Sequence, residues 1–145
     1  MEASRRWRVA GRWGALVTQG RLVNVPARGT LAAASVSHAV VAEAQTAYLA
    51  GHNTWGQLGQ GRTSVWGTAR IALPDRIVSA AAGLGFTCLA TSDALYVSGT
   101  NVRGQMGLDQ ERGSLSFQRL ALPAVRSVCA GLDHMLVLAG AQVWA

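Results

Sequence analysis

The sequence contains no lysine, because all 13 of its basic residues are arginine, and its formal net charge is +6. A phosphate-binding loop of the GxxxxGK[ST] type requires a lysine, so that class of nucleotide site is excluded. Cysteine is scarce too, with only Cys88 and Cys129. Two cysteines so far apart exclude a disulfide-rich miniature fold and a zinc site built on a CxxC pair.

Charged residues are also few, at 14% of the chain, whereas half of the 145 residues are hydrophobic and 17 are glycine. This composition excludes a disordered tail and a collagen-like repeat. The length is sufficient for one modest domain with a buried core.

Residues 29–51 are rich in alanine and valine and have about the length of a membrane-spanning helix. His38, Glu43 and Gln45 lie within this stretch, and each is costly in hydrocarbon. We therefore predict two β-strands of a repeat here and no membrane span.

The amino terminus is strongly basic, with one acid, Glu2, among four arginines: Arg5, Arg6, Arg8 and Arg12. This start resembles an amphipathic mitochondrial presequence, whose positive charge is drawn inward by the membrane potential. It is equally compatible with a solvated arm. We assign residues 1–21 to a basic N-terminal arm or an eroded first blade.

An internal repeat with a spacing of 48 residues dominates the chain. Residues 51–59 read GHNTWGQLG, and residues 99–107 read GTNVRGQMG. The same spacing relates Tyr48 to Tyr96, Ser79 to Ser127, and His38 through Phe86 to His134. Such a fixed period is the signature of a repeat architecture.

Each repeat reads as four short strands separated by turn residues. In the second unit we expect strands over 87–90, 94–98, 117–122 and 125–130, the last before Gly131. Short apolar runs punctuated by glycine and proline favour strands over helices. About 48 residues with four antiparallel strands is the size of one β-propeller blade. We place repeat units at about 22–35, 36–83, 84–131 and, in part, 132–145.

The two glycine loops, together with the Ala130-Gly131 step that precedes His134, resemble the regulator of chromosome condensation repeat family. The resemblance covers residues 22–145, and the last blade looks most similar to the family's mitochondrial branch. It implies an all-β fold, a β-propeller that has seven blades in the family. Since 145 residues at 48 per blade make about three four-stranded blades, we expect an incomplete β-propeller, or partial ring. Propellers close with about four to eight blades. The resemblance makes these residues structural: Gly51, Asn53, Gly56, Gly59, Gly99, Asn101, Gly104, Gly107 and His134.

We expect no catalytic residue, no metal site, no cofactor and no enzyme activity. Cys88 and Cys129 align with Val, Leu or Ala in other repeats, which predicts buried, inert thiols. His38 and His134 are not accompanied by a Ser/His/Asp or His/Cys cluster.

The candidate partner-binding residues are arginines and one tryptophan. Arginine binds phosphate bidentately and stacks on bases, so an arginine-only surface suits RNA, although a GC-rich codon bias explains it equally well. Trp66 has no aromatic equivalent in the next repeat, where Ser114 stands. The candidates in and beside the long loops, with the N-terminal quartet above, are Arg62, Trp66, Arg70, Arg103 and Arg112.

The leading hypothesis is a structural or assembly subunit that binds protein and RNA in a large complex, most plausibly the mitochondrial ribosome. It places the chain in the mitochondrial matrix, with cytoplasm or nucleus as the alternative. A partial ring needs other blades, from another chain, a second copy, a large assembly or a longer polypeptide. The alternatives are guanine-nucleotide exchange on a small GTPase, as in the family's founding member, and an interaction module of another assembly.

Overall fold

The computed structural model describes two N-terminal strands, β1 (Gly14–Thr18) and β2 (Arg21–Val25), and then residues 31–145 without a break. Every regular element in this described part is a strand, so the all-β prediction is confirmed there. β1 and β2 pair antiparallel. None of the described residues forms a helix that is long and apolar enough to cross a membrane.

Three further antiparallel sheets follow, and each pairs its strands in chain order. The first sheet consists of β3 (Leu31–Ala34), β4 (His38–Glu43), β5 (Thr46–Asn53) and β6 (Ser64–Ala72). The second sheet consists of β7 (Ser79–Ala82), β8 (Phe86–Ala90), β9 (Ala94–Gly99) and β10 (Ser114–Ala121). The third sheet consists of β11 (Val125–Ala130), β12 (Met135–Ala139) and β13 (Gln142–Trp144).

The sheets do not coincide with the repeat units expected from the sequence. The strand over 125–130 closes the 84–131 unit in that scheme, but β11 pairs with β12 and therefore opens the third sheet. Likewise, residues 29–51 hold three strands instead of two, since β3 precedes β4 and β5. The first three strands of the second sheet begin 48 residues after those of the first, and each sheet starts one strand earlier than the expected unit.

Burial follows position within a sheet. The middle strands β8 and β9 are buried along their whole length, on both faces, because a sheet covers them from each side. The outermost strands β6 and β10 carry mostly exposed or half-buried residues. A strand buried on both faces needs a continuous apolar run, whereas one with a solvent-facing side alternates.

The sheets are stacked face to face through apolar side chains. β7 contacts β3 on one side and β11 on the other, so the first strands of the three sheets lie next to one another. Val40, Leu49 and Leu89 belong to the core between the first and second sheets. Phe86, Val97 and Val137 belong to the core between the second and third sheets.

Candidate partner-binding groove at the 99–107 loop

The loops over residues 51–59 and 99–107 share one internal hydrogen-bond frame. Asn53 Oδ1 accepts the backbone N–H of Leu58 at 3.0 Å, and its Nδ2 donates to the carbonyl of Arg62 at 2.9 Å. In the second loop, Asn101 Oδ1 accepts the N–H of Met106 at 2.8 Å, and its Nδ2 donates to Gln110 O at 2.8 Å. Both asparagines are fully buried. Their role is therefore to hold the loop backbone.

Gly99 shows why each loop begins with glycine. Its φ is +117°, and a Cβ at this position would collide with the carbonyl oxygen of Gly85 and with Phe86 Cα. Gly51 has the same role one repeat earlier, with a φ of +135° against His38. Glycine is required at both positions because L-residues rarely adopt this conformation and because another backbone segment approaches closely.

The first loop is covered by the second sheet. Leu115 packs on Gly56, and the ring of Phe117 packs on Gly59. Gly61 donates its backbone N–H to Leu115 O at 2.8 Å, and Ser98 Oγ donates to Gly56 O at 2.7 Å. Strand β10 thus covers the two glycines of the loop, whereas Thr54 and Trp55 remain exposed.

The second loop has the same conformation but no such cover. Within the described part of the chain, a Cβ added to Gly104 would meet nothing within 4 Å, and one at Gly107 only Leu120 at 3.8 Å. Gly104 is exposed whereas its equivalent Gly56 is buried. The third sheet contributes only β13 on this side, and the described residues provide no strand beyond it.

A groove of about 560 Å³ lies beside the second loop, at the place that corresponds to strand β10 over the first loop. Its floor is apolar and its rim carries an ion pair, in which Arg103 Nε lies 3.4 Å from Asp133 Oδ2. Both side chains are largely exposed, so the pair contributes little to stability. The floor and walls include Leu95, Met106, Leu120, Met135, Val137 and Trp144.

The outer face of the third sheet is equally uncovered. Leu136 is 40% exposed and Val143 is 67% exposed, although their equivalents Cys88 and Leu95 are buried in the second sheet. Cys129 lies on the same face, opposite Leu136. Cys129 is exposed, so the prediction that it is buried is wrong. The reason is that no described residue covers this face of the sheet. Cys88 is buried as predicted, and burial raises the pKa of its thiol to about 12.

The mainly apolar seam between the first and second sheets contains a buried chain of hydrogen bonds. Thr87 Oγ1 donates to Gln57 O at 2.6 Å, so it accepts from His38 Nε2, also at 2.6 Å. His38 Nδ1 then accepts the hydroxyl of Ser37 at 2.8 Å. This arrangement uses neutral histidine, and burial, with a smaller effect of His52, lowers the pKa of His38 to about 4. Both ring nitrogens of His38 therefore contact hydroxyl groups.

The seam between the second and third sheets has apolar side chains where the first seam has the histidine and the threonine. Phe86 and Met135 stand at the positions of His38 and Thr87, and both belong to one buried apolar cluster. At the loop, the Trp55 ring lies over Gly85 in the first seam. The Arg103–Asp133 ion pair occupies the equivalent positions in the second.

The predicted partner-binding residues are placed as follows. Arg5, Arg6, Arg8 and Arg12 lie outside the described residues. Arg62 and Arg112 are exposed in loops, whereas Arg70 lies in strand β6, with its guanidinium 6.0 Å from the centre of the Tyr48 ring. Trp66 is half-buried and packs on the cluster of Ala39, Val41 and Ala50. Within the described part, Arg103 alone of this set lines the groove.

His134 is exposed, unlike its equivalents His38 and Phe86, which are fully buried. Its ring lies over Gly131, and its Nδ1 is 3.7 Å from Asp133 Oδ1. It faces the side on which no further sheet is described. No group of three or more His, Cys, Asp or Glu side chains in the described part is arranged to hold a metal ion.

The basic charge is not spread evenly. Residues 1–30 carry six arginines and one acid, whereas residues 31–145 carry seven arginines and six acids. Nearly all of the net charge of +6 therefore belongs to the first 30 residues. The sheets themselves are close to neutral, so they are not a strongly basic surface.

Sequence reasoning missed Leu115 and Phe117, which cover the first loop, and the Thr87 link in the first seam. A signal for the seam residues exists in the sequence. The pairs His38 and Thr87, and Phe86 and Met135, are related by the spacing of 48 and change together from polar to apolar. Pairing equivalent positions across the repeat would have indicated contact.

Comparison with known proteins gives one kind of match. No protein-family model matches the chain, and no curated protein does. Among 28 matching chains of solved structures is that of human WBSCR16. Its crystal structure aligns with a TM-score of 0.71 at 17% identity, over 88% of this chain and 36% of that chain. At this identity the likeness shows a shared fold, and the chain spans about a third of the solved chain.

Proposed function

We propose that this chain is a non-catalytic scaffold whose sheets are blades of an incomplete β-propeller and bind other chains of a large complex. The blade assignment is supported by three sheets paired in chain order, by the spacing of 48 residues, and by first strands that lie side by side. The shared fold with WBSCR16 adds to it.

The observation that carries the scaffold proposal is the difference between equivalent positions. Ala81, Cys88 and Leu95 are buried in the second sheet, whereas Cys129, Leu136 and Val143 are exposed in the third. Apolar residues in one contiguous exposed patch mark interaction surfaces. A protein partner that covers this face would restore the burial that the second sheet already has.

We further propose that the complex is the mitochondrial ribosome and that RNA contacts come from residues 1–30. Support for this part comes from the sequence, since that segment holds nearly all of the net positive charge. Arginine-rich segments attract RNA phosphates and also resemble presequences for the matrix. The near-neutral sheets suit a protein partner better than a phosphate backbone.

The test is a density gradient of native lysate, with and without ribonuclease, followed by mass spectrometry of the fractions that contain the chain. Sedimentation with mitochondrial ribosomal proteins that is lost after ribonuclease treatment is the expected result. Migration as a small species with one partner, unchanged by ribonuclease, would overturn the proposal. Exchange activity on a small GTPase would then be the function to measure.

A further inference from the structure

We propose that the end of the sheet stack that carries Trp55 and Leu84 binds an apolar segment of a protein partner, and that a carboxylate of this segment pairs with Arg62. This inference rests on the proposed scaffold function and specifies one contact of the partner. We call this end the loop-end surface. It consists of the loops over 35–37, 54–63, 83–85, 100–113 and 131–134.

One aliphatic side chain recurs at the same exposed position in each of the three sheets. Val36, Leu84 and Leu132 follow one another at the spacing of 48 residues, in the loop between the first and second strands. They are 72%, 39% and 59% exposed. Polar residues and glycine are the usual occupants of such turns, and burial energy is not gained from an aliphatic side chain that stays exposed. The recurrence therefore points to a contact outside the folded chain.

Leu84 belongs to the middle sheet, so its exposure is found with a described sheet on both sides. On one side, its backbone N–H donates to Leu132 O at 2.8 Å. On the other side, the Trp55 ring packs on the adjacent Gly85, and this ring is itself 47% exposed. Trp55, Leu84 and Leu132 thus follow one another across both seams, and we call them the apolar strip. An exposed tryptophan flanked by aliphatic residues is typical of the anchors of protein interfaces.

The charge beside the apolar strip indicates the chemistry of the partner. Arg62 lies in the same loop as Trp55, where its carbonyl accepts Asn53 Nδ2 at 2.9 Å, and it is exposed. None of the ion pairs among the described residues includes Arg62. At the second seam, in contrast, Arg103 is compensated by Asp133. The strip therefore has an uncompensated positive charge at its Trp55 end, and a carboxylate of the partner complements it.

A protein segment fits this surface better than RNA does. Bases stack on an exposed tryptophan, but the aliphatic side chains at 36, 84 and 132 offer no plane for stacking. Loops of the same end also carry three acids, Asp109, Glu111 and Asp133, which repel a chain of phosphates. A segment with two or more apolar side chains and one acidic residue matches both the strip and Arg62.

The experiment selects peptides from a phage-displayed library of short random sequences, with the full chain as the target. We expect enrichment of peptides that combine aliphatic or aromatic residues with an aspartate or glutamate. The most frequent peptide is synthesised with a fluorophore, and its affinity is measured by fluorescence anisotropy. Absence of enrichment, or enrichment of basic peptides, overturns the proposal.

Two variants at opposite ends of strand β7 locate the site. Leu84 follows this strand and is 39% exposed, whereas Val78 precedes it and is 36% exposed, so the two positions are matched in burial. We expect Leu84→Ser to weaken binding of the selected peptide at least about tenfold and Val78→Ser to leave it unchanged. Circular dichroism verifies that both variants fold. Unchanged affinity in folded Leu84→Ser overturns the proposal.

A charge exchange tests Arg62 without any apolar substitution, so it decides the question even if Leu84→Ser does not fold. We expect Arg62→Glu to weaken the peptide about threefold to fivefold, the effect of one exposed ion pair. Arg76→Glu, at an exposed position before β7 and at the opposite end of the sheets, should have no effect. A peptide with lysine in place of its acidic residue should regain affinity for Arg62→Glu. Equal affinities of the parent peptide for the two variants overturn the proposal.

Two further measurements separate other occupants of the loop-end surface. A fluorescent oligouridine should show no saturable binding that depends on Trp55. Binding that is lost in Trp55→Ala would make RNA the ligand and overturn the protein assignment. Sedimentation equilibrium of the chain alone should give the same mass for the parent and Leu84→Ser. A dimer that Leu84→Ser dissociates would make a second copy the occupant and overturn the partner assignment.

These experiments and the gradient fail independently. Failure of the peptide selection overturns the loop-end surface but leaves the scaffold function standing, because sedimentation in a large complex does not require this particular surface. Migration as a small species overturns the scaffold function in the proposed complex without affecting the affinity for the peptide.

Discussion

The two seams between the sheets share a backbone frame and an apolar core, and they differ in side-chain chemistry at one pair of equivalent positions. In the first seam, His38, Thr87 and the carbonyl of Gln57 form a buried hydrogen-bond chain. In the second, Phe86 and Met135 fill the equivalent space with apolar atoms. A buried polar group is tolerated only with its hydrogen-bond partner, so both members of a pair must change together. The repeats thus share one backbone conformation, whereas the two side chains that meet between neighbouring sheets change together.

The largest expected effect is the loss of Phe86. Its side chain is fully buried and its ring lies over Gly83, so Phe86→Ala removes packing and leaves a cavity. We expect a loss of about 3–5 kcal/mol in the free energy of unfolding, measured by denaturant titration. A loss below about 1 kcal/mol would mean that the second seam is not a packed core.

The first seam should be sensitive to pH where the second is not. The folded-state pKa of His38 is lowered from 6.5 to about 4, so the unfolded chain binds the proton more tightly. The contribution to stability is complete above pH 6.5 and is lost as pH falls toward 4. The linked loss is on the order of 3 kcal/mol.

The variant His38→Phe, which copies the residue of the second seam, provides the comparison. Unfolding free energies of both proteins are measured by urea titration between pH 7 and pH 4, about the range in which histidine linkage operates. The variant should lose the histidine part of the slope. Equal slopes in the two proteins would contradict a buried, neutral His38.

The covered and uncovered loops should respond differently to one added methyl group. In Gly56→Ala the Cβ comes within 2.6 Å of Leu115 Cδ2 and 2.8 Å of its Cα, which adds overpacking to the cost of a positive φ. We expect a loss of about 2–4 kcal/mol in unfolding free energy. Gly104→Ala should lower the unfolding free energy by only about 1 kcal/mol, since it adds backbone strain without a steric clash. Equal losses, compared by thermal denaturation, would mean that both loops are equally covered.

A smaller effect is expected at the turns that follow β4 and β12. Ala44 has a φ of +51°, and its repeat equivalent, Gly140, has a φ of +60°. Ala44→Gly relieves the strain of a left-handed alanine at an exposed position but frees the unfolded chain. We expect a net gain of about 0.5 kcal/mol in unfolding free energy and a loss of similar size for Gly140→Ala. Effects of the same sign in the two variants would contradict this strain.

The smallest effect on stability is expected at the two cysteines, which differ in the reactivity of their thiols. Cys129 is exposed, whereas Cys88 is buried and its raised pKa of about 12 keeps the thiol protonated. An alkylating reagent at neutral pH should modify Cys129 alone in the native chain and both thiols after unfolding. Mass spectrometry of the intact protein counts the added groups. Rapid double modification without denaturant would show that the second sheet is not covered on both faces.

The loops show how much of the candidate site could be predicted. The spacing of 48 residues identified both loops, and the family resemblance made Asn53, Asn101 and the glycines structural residues. These are local features, since each asparagine bonds residues within its own loop. The groove was not predictable in this way, because it depends on a strand of another sheet that covers one loop and not the other.

Sequence by itself determined the repeat, the strand class and the conformation of the turns, because glycine positions and short apolar runs restrict the backbone locally. Only the tertiary structure decided that β11 belongs to the third sheet and that Cys129 is exposed while Cys88 is buried. Equivalent residues have the same local sequence preferences in every copy. Burial is a property of what lies against them, and that is fixed by the stacking of sheets distant in sequence.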